Sequence, residues 1–295
     1  MIWLRRTLTA RILAGCLAVF LGLVAWSDHA VAQQRVLAEE ELVDYGYATW
    51  FGTGIYTVAD REVFVLRIPF EWTMREPLQA EEKWGWKWLM PLTIGFYRFD
   101  FDLSQLPGFD LSNYDTTAQS ASFVPGVELQ LPVSEVWRLE PFVQAGLGQD
   151  LTGTELVYIY GFGMKSYYDL SHGEVDYLIA NRLLYGGQTF RESGDSTGFA
   201  SFETAVEMRL PGTVSIGRFK IDSSIFGVVA WFGNRLEFLA PRGEEKVSRI
   251  VELGFSLGIN EGFSLWNFDI PRLGMSFMRG ENDFRAIRFN AGFSF

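Results

Sequence analysis

The stretch FVLRIPFEWTM, residues 64–74, decides how this chain is read. Phe64, Leu66, Ile68, Phe70, Trp72 and Met74 fall on one side of an extended backbone, and Val65, Arg67, Glu71 and Thr73 on the other. Successive side chains of a strand point to opposite faces, so charges confined to one face at period two mark a two-faced strand. The pattern recurs downstream. Trp84, Trp86, Trp88, Met90, Leu92 and Ile94 alternate with Lys87, Thr93 and Gly95. Phe123, Val127, Leu129 and Leu131 oppose Ser122, Gly126, Glu128 and Gln130. After a turn at Ser134-Glu135, Trp137, Leu139, Val143 and Leu147 oppose Arg138, Glu140, Gln144 and Gly148. Twelve such segments begin near residues 45, 62, 84, 119, 136, 156, 174, 199, 217, 247, 263 and 283. Thr213 to Gly233 is long for one strand, and Pro271 breaks the phase of the eleventh segment, which marks a bulge. Ten or fourteen strands are the alternatives, and an even number is expected in each case.

The first 32 residues have the layout of a cleaved export signal. Arg5, Arg6 and Arg11 precede the apolar run Ile12 to Trp26, and Ala30-Val31-Ala32 offers a small-x-small cleavage site ahead of Gln33. Leu13-Ala14-Gly15-Cys16 matches a lipoprotein box, but too few apolar residues lie between Arg11 and Cys16. Removal of residues 1–32 takes away the only cysteine, so no disulfide or thiol chemistry is expected in the remainder. The formal charge of −11 argues against nucleic acid as a partner. No stretch beyond residue 32 reaches the ~18 apolar residues of a membrane helix, so a membrane-embedded form must cross as strands.

Alternation alone fits a soluble β-sandwich as well as a barrel. Three features favour the membrane. The apolar faces are nearly free of charge. Trp50, Trp72, the Trp84–Trp88 group and Trp231 cluster toward segment ends, as interfacial girdles do. Closure also removes the edges that twelve apolar strands would expose. The expected fold is therefore an all-β, transmembrane, antiparallel up-and-down barrel of twelve strands over residues 45–295, in the outer membrane of a Gram-negative bacterium. Both termini are expected in the periplasm. Short turns at Ser134-Glu135, Ser171-His172-Gly173, Pro211-Gly212 and Asn260-Glu261-Gly262 then lie on the periplasmic side, and connections 103–118, 187–198 and 234–246 lie outside.

The phase assigns sixteen charged residues to the lumen. The cations are Arg67, Lys87, Arg138, Lys165, Arg182, Arg209, Arg272 and Arg288; the anions are Glu71, Glu128, Glu140, Asp176, Glu203, Glu207, Asp222 and Glu252. A strongly selective pore should show a bias of sign in its lining. Balanced charges imply pairs laced across a narrow or closed interior, with a conducting pathway as the alternative. Residues 33–44 form either a tail or a short plug helix entering that lumen. No catalytic, cofactor or metal site is expected. Past residue 32 the sole histidine is His172, in a turn, which gives neither a base beside a nucleophile nor a second metal ligand.

The chain closes on Ile287, Phe289, Ala291, Phe293 and Phe295 along one face. An amphipathic last strand ending in Phe resembles the signal by which outer-membrane proteins engage their assembly machinery. With SFVPGVEL at 122–129 and LEPFVQAGLG at 139–148, the mature chain is similar to solitary autotransporter-like barrels. That resemblance implies a small pore, translocator or scaffold, with outer-membrane lipid, periplasmic chaperones and the barrel-assembly machinery as partners. The cargo stays unnamed, since only about a dozen residues separate Gln33 from the first strand and leave no passenger. An outer-membrane enzyme, or a structural or adhesive barrel acting through its outer loops, is the alternative.

Overall fold

The computed structural model describes residues 48–58, 61–78, 83–99, 120–151, 156–173, 175–216, 219–237, 246–265 and 268–291. The export signal, the 33–44 tail, connection 103–118, and Phe293 and Phe295 lie outside them. The strand segments are β1 (Thr53–Val58), β2 (Arg61–Arg75), β3 (Gly85–Phe99), β4 (Ser120–Phe123), β5 (Gly126–Pro132), β6 (Trp137–Asp150) and β7 (Leu156–His172). They continue with β8 (Val175–Phe190), β9 (Ser196–Arg209), β10 (Val214–Ile216), β11 (Phe219–Glu237), β12 (Lys246–Leu265), β13 (Phe268–Gly280) and β14 (Arg285–Ala291).

These fourteen segments make twelve staves of a closed, antiparallel, up-and-down barrel. β4 and β5 lie end to end between β3 and β6, interrupted at Val124-Pro125. β9 and β10 lie end to end along β11. Closure runs through β1 and β14, where Thr53 faces Phe289 and Thr57 faces Arg285.

Four expected boundaries move. The first strand begins at Thr53, and residues 48–50 form a tight helical turn ahead of it. Pro211-Gly212 is a break within a stave, because Val214–Ile216 resumes pairing with β11 and the chain reverses only between Ile216 and Phe219. Gly212 takes φ +98, which glycine adopts without steric cost. Likewise Asn260 to Gly262 belongs to β12, and the reversal falls between Leu265 and Phe268. The register jumps from Gly258↔Arg272 to Phe263↔Ile270, so the bulge lies opposite Pro271. Finally, the connection expected over 187–198 shrinks, as β8 and β9 run on to Phe190 and from Ser196.

The two faces separate as the alternation requires. Large apolar side chains stand exposed on the outside, among them Val143, Val206, Leu253, Leu273 and Phe277. Trp72, Trp84 and Trp88 are exposed near the end that holds the first and last strand termini, with Arg75 stacked 4.5 Å over Trp84. Near the opposite end, here the loop end, Trp231 stacks on Phe202 at 5.7 Å. Inward positions carry the buried charges and hydroxyls.

Candidate functional site: a filled lumen

Strand register brings the inward charges together in sets. Lys87 lies directly opposite Glu128, and Glu140 opposite Lys165. Glu128 is wholly buried, with Lys87 Nζ at 2.9 Å and Lys165 Nζ at 2.7 Å; Lys87 also reaches Glu71 at 2.8 Å. Arg138 pairs with Glu140 at 2.6 Å and lies 4.9 Å over the Tyr167 ring. Around the wall, Arg182 faces Glu203 and donates to both carboxylate oxygens at 2.8 Å. This fork geometry is the strongest form of such a pair.

Two further sets span four and three strands. Asp222, Gly258 and Arg272 occupy successive register positions on β11, β12 and β13. A Cβ on Gly258 would meet Arg272 Nη1 at 2.7 Å and the Asp222 carboxylate at 2.8 Å, so the missing side chain lets the ions meet across the middle strand. Arg272 pairs with Asp222 at 2.5 Å and donates to Ser256 and Ser224, while the Ser224 hydroxyl donates to Glu207. Arg288 pairs with Glu252 at 2.7 Å, and Ser276 donates to the same carboxylate at 2.5 Å.

Fourteen of the sixteen assigned residues thus lie in contact sets inside the barrel, counting Arg67 below. Asp176 and Arg209 are different. They face one another in register at the exposed rim nearest the termini, where Ser171 donates to Asp176 at 2.7 Å.

The lumen also holds a piece of its own chain. Ala48 to Phe51 lies within the barrel, ahead of β1. The Arg67 guanidinium donates to the carbonyls of Ala48 and Phe51, the latter at 3.3 Å. Trp50 Nε1 donates to Glu203 at 3.0 Å, which ties the segment to the Arg182 pair across the lumen. Room for it comes from a wall without side chains. A Cβ on Gly186 would lie 2.5 Å from Thr49 Oγ1, and one on Gly161 3.2 Å from Thr49 Cγ2.

Above this segment the interior is apolar. Trp50 packs edge-on against Phe232 at 5.3 Å, in one cluster with Tyr56, Leu184, Val247, Met278 and Phe284. Phe284 belongs to the β13–β14 turn, where Asn282 and Asp283 take φ +53 and +56, and the Phe284 amide donates to Glu281 O. That geometry matches the twist of a hairpin and is tolerated by Asn and Asp. It turns Phe284 inward, fully buried, as a lid on the loop end. At the other end Glu71 and Thr73 remain exposed, so the lumen has a wet mouth there.

The alternation alone did not disclose this apolar filling, Trp50 and Phe284 least of all. A signal was present: runs such as Val63-Phe64-Val65-Leu66 and Ile225 to Phe232 are apolar on both faces. A strand apolar on both faces is buried on both. No protein-family model and no curated protein matches the chain.

Proposed function

We propose that the chain is an integral outer-membrane barrel with periplasmic termini, closed at rest, that acts as a scaffold rather than an open pore. The observation that carries this reading is the Ala48–Phe51 segment, held in the lumen by Arg67 and Glu203. The apolar outer wall and its end-placed tryptophans support a bilayer setting. Export by the N-terminal signal, delivery by periplasmic chaperones and insertion by the barrel-assembly machinery complete the proposal. Kinship with autotransporter-like barrels is compatible with twelve staves, but the lumen here is occupied by residues next to β1 and by wall side chains.

Planar-bilayer recording on refolded full-length protein tests the closed state. Little or no steady conductance is expected, with heat-shifted gel mobility showing that the barrel is folded. Large, steady, ion-selective currents from folded protein would overturn the reading.

A further inference from the structure

The outer wall carries a recess of about 750 Å³ at the loop end, across β1, β12, β13 and β14. Its walls are the outward residues of adjacent strands: Ile55, Leu253, Phe277 and Ile287 toward the middle of the barrel, and Arg249, Arg279 and Arg285 toward the loops. Register makes the cations converge. Arg279 lies directly opposite Arg285, and Val251, two residues from Arg249, lies directly opposite Arg279.

Like charges placed opposite one another on a sheet repel, and the recess lining holds a single acid beside them, Glu281. All three arginines are exposed, and among the described residues none of them makes an ion pair. The acid beside them, Glu281, takes hydrogen bonds from the Ser248 amide at 2.9 Å and hydroxyl at 2.5 Å. The chain as a whole carries −11, so a cationic triad on its apolar wall is out of keeping with its surroundings.

We propose that this recess binds an anionic lipid with a phosphomonoester headgroup, its phosphates on Arg249, Arg279 and Arg285 and an acyl chain along Leu253, Phe277 and Ile287. The polarity runs the way a lipid does, with cations at the barrel end and apolar side chains toward its middle. Guanidinium groups suit phosphate because they present paired donors in one plane. The outer-membrane proposal above adds only the leaflet: with periplasmic termini, the loop end is the outer one.

Native mass spectrometry of the refolded full chain in detergent tests the site, with bis-phosphorylated lipid A and phosphatidylethanolamine as probes. Wild type is expected to retain lipid A at detergent levels that strip phosphatidylethanolamine. The triple variant Arg249→Gln, Arg279→Gln, Arg285→Gln should lose at least about tenfold in retention. Arg191→Gln, an exposed charge in another loop-end turn, should change nothing. Heat-shifted mobility verifies folding, and Arg279→Gln alone gives a milder test of the same site. Equal retention by the triple variant, or equal retention of phosphatidylethanolamine by wild type, overturns the proposal. Selective retention by a protein that fractionates away from the outer membrane overturns the location and leaves the site standing.

Discussion

Glu203 sits at 3% relative exposure, and three donors converge on it: the Arg182 fork, Trp50 Nε1 and the Ser201 hydroxyl. A charge removed from water is tolerable only while its partners stay in place. Arg182→Ala leaves that carboxylate uncompensated and should cost roughly 3–5 kcal/mol of stability, read from urea unfolding in lipid vesicles. Trp50→Phe keeps the ring packing against Phe232 and removes only the N–H, so about 1–3 kcal/mol is expected. The ordering is the test: a larger loss from Trp50→Phe than from Arg182→Ala would mean that the aromatic bond, not the ion pair, holds the carboxylate. Gly258→Val belongs to the same scale. Its side chain would stand between Asp222 and Arg272, so the cost should approach that of Arg272→Ala, although no charge is removed.

β14 shows what an element must satisfy at once. Ile287 and Phe289 face out, Arg288 faces in, and the backbone closes the sheet against β1. Phe289→Arg should cost roughly 2–4 kcal/mol at mid-depth, and less toward an interface. The barrel should then lose its heat-shifted mobility and the protein its membrane yield; an unchanged mobility shift and yield would contradict the outward, lipid-exposed assignment. Strand phase of this kind was legible throughout the sequence, because period two is a local property of a few neighbouring residues. Lumen charges followed from phase, which is why Lys87, Glu128 and Glu140 sit where the alternation put them. Breaks inside staves were less legible. Pro211-Gly212 reads as a turn locally, yet β10 resumes the ladder because β11 continues beside it. Trp50, which its place near a segment end assigned to an interfacial girdle, is instead buried in the lumen at 4% exposure. Nothing within a few residues of it distinguishes a first strand from a segment that enters the lumen, since the deciding partners, Glu203 and Phe232, are remote in sequence.

On the scale of the whole molecule, the closed state proposed above would rest on two separable layers. One is the set of ion pairs fixed to the wall, which hold still because the sheet does. The other is the Ala48–Phe51 segment, which reaches the wall through Arg67, Glu203 and the cluster around Phe232. Removing the second layer should open the lumen while the first keeps the barrel standing. In Trp50→Ala combined with Arg67→Ala, the segment loses its ring anchor and its cationic clasp, and no lone buried carboxylate is created, because Glu203 keeps Arg182. Single-channel conductance should rise severalfold over wild type, with heat-shifted mobility retained. Deleting Gln33 to Asp44 provides the contrast. It leaves Arg67, Trp50 and Glu203 in place, so its conductance should stay close to wild type. If the double substitution leaves the channel silent while the deletion opens it, the seal lies in residues 33–44, and the Ala48–Phe51 contacts only position the chain on its way into the first strand.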